Sequence, residues 1–442
     1  MMRTATTIDV RSHGAGVHVL AAIGAAILLH YAITPAESGG SGLALHVRFA
    51  VAMAGGLAVL VINADQPAAQ RLLVPLCMLA LWILLLNVAS DTWYGVMFAA
   101  FAAGSVILST AFVVGPLQQK FLLALDLLLV LWVGVFLMQF LIYFGTGSII
   151  DFHAIFHPYS AARIFAEGDS GVFRFTGPHI EPGSYANWVY GLVILRSIAR
   201  RRWFDFVGMA AMASTMLSFS LWAMVGAAAY FAGAIFHSLS SLRLGAMIRI
   251  LMALILIVAV FSWFASSITR ELIEYLILRS TPDDGSSSSK FLAWQGFIRE
   301  FWDVLLIGTS FEHDYCDGCA SPQDAGTAIN MVMRVGLIAT LCILFPIIRT
   351  IWGTAGVAGL IAFLPLLFAK FYVFDPIFWM IVGVCAIDWT RATASYRPAA
   401  RSHAARMQNS PSSKARPRDG QMRDVRASHP RNGRDIRSIL GA

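Results

Sequence analysis

Apolar runs of membrane-spanning length recur along most of this chain, and nothing constrains its folding more. A backbone surrounded by hydrocarbon must satisfy its own N–H and C=O groups, so only helices or closed barrels cross a bilayer. The helical unit is a run of about 17–25 apolar residues. Twelve such runs are legible, roughly 17–34, 45–63, 72–89, 93–114, 121–143, 184–199, 204–219, 221–237, 247–267, 328–348, 351–369 and 371–389. The pairs 204–219/221–237 and 351–369/371–389 are so closely set that either could be one helix. The chain is 58% hydrophobic and only 13% charged, against about a quarter charged in soluble domains. The expected fold class is an all-α polytopic membrane protein with about twelve transmembrane helices.

Basic residues test this count independently. With the N-terminus inside, the inner segments carry Arg3 and Arg11, Arg71, Lys120, Arg200–Arg202, Arg243, Arg349 and the basic tail, as the positive-inside rule requires. An even number of spans leaves both termini cytoplasmic and turns two long loops, 144–183 and 268–327, outward. The expected organisation is five helices within 1–143, the first outer loop, helices 6–9 within 184–267, the second outer loop, helices 10–12 within 328–390, and a tail over 391–442. Arg3 and Arg11 precede an apolar run that reads as a signal anchor. Arg48 lies deep in a span, where a charge faces the bundle interior or snorkels.

The tail holds 12 Lys/Arg and 3 Asp, more positive charge than the whole chain's net +7. The other 390 residues are slightly acidic, which removes a nucleic-acid partner. Poor in large apolar side chains, the tail reads as disordered. The turn-rich STPDDGSSSS (280–289) reads as irregular. After it, KFLAWQGFIREFWDVLLIG (290–308) sets Phe291, Trp294, Ile298, Phe301 and Leu305 at helical spacing. That is an amphipathic helix, lying in the membrane interface or packed on the bundle.

Chemistry concentrates in the first outer loop. GVFRFTGPHIEPGSYANW (171–188) places Arg174, His179 and Glu181 among prolines and glycines that exclude a helix interior. Arg174 suits a two-pronged grip on phosphate or carboxylate, or a structural ion pair with Glu181, Glu167 or Asp169. Glu181 or His179 suits a general base. Equally, Glu181 suits the N-cap of the helix beginning near Ser184. His153 and His157 have the spacing of two metal ligands on a helix, without an HExxH pattern to support it. Cys316 and Cys319 form a CxxC whose readings are a loop-stapling disulfide or, with His313, a zinc site lacking a second ligand pair. No Walker loop, GxSxG elbow or dinucleotide fingerprint is present.

Arg174-Phe-Thr-Gly177-Pro-His-Ile-Glu181-Pro182 resembles the R-x-T/S-G-x-x-x-E-P stretch of bacterial polysaccharide polymerases, in the broad O-antigen polymerase and ligase superfamily. STMLSFS (214–220) resembles that superfamily's Ser-rich helix end. Trp294 to Gly308 resembles its W…(I/L)-G-x-G segment, and Arg334-Val-Gly336 its glycine-containing helix. The resemblance covers roughly 170–345. It implies a GT-C-like glycosyltransferase of the bacterial inner membrane, using no nucleotide sugar, metal or other cofactor. Such an enzyme transfers a glycan from undecaprenyl diphosphate onto the next lipid-linked repeat unit at the periplasmic face. Its implied partners are that lipid-linked glycan and the bilayer, with a chain-length regulator and a flippase as further candidates. Carried over, Arg174 binds the donor diphosphate, and His179 or Glu181 orients or deprotonates the acceptor hydroxyl. Lys290, Trp294, Arg299 and Arg334 fall in the other matched segments as candidate substrate-binding residues. Lys290 stands where the superfamily often has arginine, and Ser310 where it has the second glycine of G-x-G. A ligase passing the finished glycan to another acceptor is the nearest alternative. A lipid-linked oligosaccharide flippase fits the span count but not the long outer loops.

Overall fold

The structure, a computed structural model, describes residues 10–33, 53–67, 70, 81, 94–157, 161–162, 174–240, 245, 248, 251–252, 255, 277, 285–299, 301–306, 308, 325–369 and 375–389. The chain divides into two units, Met1–Thr393 and Ala394–Ala442. The second unit lies outside the described residues, as do Arg48, Glu167, Asp169, His313, Cys316 and Cys319.

Among the described residues every regular element is helical. The Pro182–Arg200 helix forms the centre. Pro182 starts it with a fixed φ at a position where its missing N–H costs nothing, and Arg201 ends it in left-handed backbone at φ 53°. Fifteen of its nineteen residues are buried, so it is an interior helix and not one facing lipid on a broad side. The helices Gln118–Thr146, Phe206–Met216, Leu221–Ser240 and Thr327–Phe368 pack around it, and Val10–Ile33 packs on Gln118–Thr146. Tyr190, fully buried, donates to the Ala362 carbonyl and joins the centre to the 327–368 helix.

Helices 118–146 and 182–200 run antiparallel, and charge fastens one end of the pair. Arg196 Nε donates to Asp126 at 2.6 Å, and its Nη1 donates to Asp205 at 2.8 Å. Arg200 also pairs with Asp126 and donates to the Leu122 carbonyl at 2.9 Å. Asp205 additionally caps the Phe206–Met216 helix, accepting from Gly208 N at 2.9 Å. Three helices thus share one network built on an arginine that is 4% exposed.

Three helices among the described residues are long and apolar enough to cross a membrane: Gln118–Thr146, Leu221–Ser240 and Thr327–Phe368. Two stretches depart from the expected spans. The run at 204–219 holds a helix of only 11 residues, Phe206–Met216, about 16 Å long at 1.5 Å per residue, roughly half the hydrocarbon thickness. Within Thr327–Phe368 the helix is broken across a kink, and the non-helical backbone falls at Gly336 (φ 84°, ψ 164°) and Gly356 (φ 60°, ψ −144°), not at the 349–350 boundary between the two runs. Arg349 and Thr350 mark the polar interruption between the runs, whereas the backbone leaves helix at the two glycines.

The Gly285–Arg299 helix begins inside the serine run, so Gly285–Ser289 is helical where the turn-rich composition suggested irregular chain. Ala293 and Phe297 pack it against Ala325, Ile329 and Met333. Phe291, Trp294, Ile298 and Trp302 stay exposed. One face therefore rests on protein, and an aromatic stripe on the other stays exposed.

Replacing Arg196 with Leu strips Asp205 of a buried partner and leaves Asp126 with Arg200 alone. The expected cost is about 3 kcal/mol, at the low end for a broken buried pair because both carboxylates keep partial water contact. A melting curve in detergent measures it, and an unchanged midpoint would show that the network adds no stability.

Candidate functional site

Gln139 is a polar residue in an otherwise apolar stretch of helix 118–146, and it is 1% exposed. A buried amide must find partners or destabilise its surroundings. Its Oε1 accepts from the backbone N–H of both Thr176 and Gly177, each at 2.9 Å. Its Nε2 donates to the Ile150 carbonyl at 2.8 Å. One side chain therefore fastens both strands of the loop between helices 118–146 and 182–200. Gly177 adopts φ +57°, and a Cβ there would lie 3.1 Å from Phe136 Cβ, so close approach and backbone both favour glycine.

Phe175 drives the loop inward. Its ring, 1% exposed, stands 4.7 Å from Phe140, 5.6 Å from Tyr143 and 5.8 Å from Phe144. On the far side it lies 6.5 Å from Phe219. Arg174 and Thr176 flank this anchor, so the guanidinium's stem is fixed by its neighbour's burial. Arg174 itself is half-buried, with Nε enclosed.

Four histidines gather beside this loop. Trp132 Nε1–H donates to His30 Nδ1 at 3.0 Å, which places the His30 proton on Nε2. His153 Nδ1 lies 3.1 Å from the Pro178 carbonyl; a carbonyl only accepts, so His153 carries its proton on Nδ1. The His153 and His157 rings are 4.7 Å apart, and His30 and His157 stack at 5.8 Å. His179 stands edge-on to Trp132 at 4.6 Å, is 1% exposed, and neither ring nitrogen has a hydrogen-bond partner among the described residues. Burial, reinforced by His30, His153 and His157, holds the His179 pKa well below the usual imidazole value. Burial likewise lowers that of His153, against the opposing pull of Pro178 and Asp151. Asp151 caps the Phe152–Phe156 helix, accepting from Ala154 N at 2.9 Å, and holds Ala162 N with its other oxygen. Among the described residues no group of three or more His, Cys, Asp or Glu is placed to hold a metal ion.

Glu181 occupies the N-cap position in extended backbone, but its carboxylate accepts no capping bond from the helix backbone. It accepts instead from the Ser184 hydroxyl at 3.3 Å. The expected site residues fall into two meetings. In the first, the 174–185 stretch reaches the Ser-rich 214–220 segment: Tyr185 Oη and Ser214 Oγ are 2.7 Å apart, beside the Phe175–Phe219 contact. In the second, the 305–308 segment docks on 334–337, with Leu337 N–H donating to Leu305 O at 2.6 Å. Gly308, at φ +79°, leaves no room for a side chain against the Arg334 carbonyl, 2.6 Å from where a Cβ would stand. Arg334 is buried at 8% exposed, whereas Lys290, Trp294 and Arg299 lie on exposed positions of helix 285–299.

Gln139, Trp132 and His30 escaped the sequence reading. Their signal was available: an amide and an imidazole inside apolar runs need partners, and Gln139 finds its own at this loop while His30 finds Trp132. Compared with known protein-family models, curated proteins and solved structures, the chain matches none.

Substituting Gln139 with Leu leaves two buried N–H groups and one carbonyl without their partner, at about 1–3 kcal/mol for each unsatisfied group. Hydrogen exchange and proteolysis within 174–181 should rise sharply, while Gln139→Glu, still able to accept twice, should protect the loop better. For pH, a histidine whose folded pKa is depressed stabilises the fold fully above its unfolded value and loses that contribution on acidification. The melting midpoint should therefore fall as pH drops below about 6.5, and His179→Phe should flatten that slope. A slope identical in the variant would remove His179 from the effect.

Proposed function

We propose that this protein is a polysaccharide polymerase of the bacterial inner membrane. It joins undecaprenyl-diphosphate-linked repeat units at the periplasmic face, with twelve spans and both termini in the cytoplasm. The observation that carries this reading is the fixed loop. Arg174 and Glu181 lie at opposite ends of an eight-residue stretch whose middle is held by Gln139 and Phe175. That stretch is the one resembling the polymerase motif, and it packs beside the Ser-rich segment resembling a second motif.

The chemistry asks for a fixed cation near a leaving diphosphate and a polar group near the attacking hydroxyl. Arg174 supplies the cation: a planar guanidinium grips two phosphate oxygens and offsets charge as the sugar–phosphate bond breaks. Glu181, half-exposed at the head of helix 182–200, orients or deprotonates the acceptor hydroxyl. His179 is enclosed and takes a supporting part in shaping the loop. The exposed aromatic stripe of helix 285–299 suits the polyprenyl carrier at the bilayer surface, with Lys290 and Arg299 beside it for phosphate. Arg334 supports the docked 305–308 turn.

Deleting the gene should leave single lipid-linked repeat units on the periplasmic side. Long untransferred chains would indicate a ligase, and units held on the cytoplasmic side a flippase. Arg174→Lys, at normal protein level, should lower elongation by about a hundredfold or more, the scale of losing one transition-state donor. Full activity in that variant would remove Arg174 from the reaction.

A further inference from the structure

We infer that a cavity between the start of helix 118–146 and the end of helix 182–200 binds the headgroup of an anionic phospholipid. The cavity holds about 520 Å³ and is lined by Gln118, Gln119, Arg200, Arg201, Arg202 and Asp388, together with apolar wall residues such as Leu122. It lies at the opposite end of helix 182–200 from the loop carrying Arg174 and does not depend on the polymerase reading.

A count of its donors carries the inference. Arg200 is committed to Asp126 and the Leu122 carbonyl, and Arg201 to Asp388. The Arg202 backbone N–H donates to Ser197 O at 3.1 Å, while its exposed guanidinium makes no ion pair among the described residues. The side-chain amides of Gln118 and Gln119 hydrogen-bond to none of the described residues. Three arginines with neighbouring Lys120 face two carboxylates, which leaves surplus positive charge. The first turn of helix 118–146 adds to it: Leu117 at the N-cap offers no acceptor, and the turn contains no acidic residue. Its unsatisfied N–H groups and the positive end of its dipole favour an anion.

A phosphodiester answers each of these features. Guanidinium forks onto its oxygens, and the glutamine amides serve the remaining lone pairs. Basic pockets between membrane helices take such headgroups.

The test uses the full chain, delipidated and reconstituted in nanodiscs of phosphatidylcholine with or without phosphatidylglycerol. Phosphatidylglycerol should raise the melting midpoint by several degrees, and native mass spectrometry should show it retained several-fold over phosphatidylcholine. Arg202→Gln and Arg202→Glu should abolish that preference. Arg349→Gln, which removes an equal charge from an exposed position of helix 327–368, should keep it. Equal retention of both lipids would overturn the inference, as would an equal loss in Arg349→Gln, which marks diffuse surface charge. Inorganic phosphate giving the same shift in phosphatidylcholine discs would reassign the cavity to a free anion.

Discussion

The Gln139 amide is the contact on which the candidate site rests. A loop buried beneath aromatic rings cannot offer its backbone to water, and it lacks a strand or helix to satisfy it. Gln139 resolves this from within a neighbouring helix, accepting twice and donating once. Because that helix is rigid and itself packed on the bundle core, the loop inherits its position. Arg174 and Glu181 then hold their relation to each other through backbone geometry and do not require a bond between them. Precision of this kind, borrowed from a regular element by a supporting side chain, is what a site for charge chemistry needs.

The two ends of the central helix solve polar burial in opposite ways. At the C-terminal end, arginines and aspartates neutralise one another, and the network joins three helices. At the N-terminal end, imidazoles gather around Trp132, and burial disfavours a proton on His153 and His179. The second arrangement depends on its members staying neutral, since the enclosure that gathers them offers little compensation for a proton.

Much of this architecture was legible in the sequence, and the unread part has a physical explanation. The loop between helices 118–146 and 182–200 stood out because proline and glycine restrict backbone whatever the surroundings. The helix at 285–299 announced its aromatic stripe through spacing alone. What stayed hidden were effects of tertiary contact. Gly336 and Gly356 are where the backbone leaves helix, although the polar interruption in the sequence lies at Arg349 and Thr350. The serines at 286–289 adopt helix although their composition suits turns. Nothing local tells that Glu181, placed like a cap, would take a hydroxyl in place of a backbone amide. The roles of Gln139 and His30 required knowing which segments meet.

Enclosure of the central helix also bears on biogenesis. Residues 182–200 carry Arg196 midway through their last two turns, together with Ser184, Asn187 and Ser197. Arginine is among the least welcome side chains in hydrocarbon. A segment of this kind gains little by burying itself alone, because its arginine would be enclosed before meeting an aspartate. Asp126 is synthesised earlier and is already waiting in helix 118–146. The order of synthesis therefore supplies the counter-charge first, and the later helix can fold by docking its arginine onto a partner that is already formed.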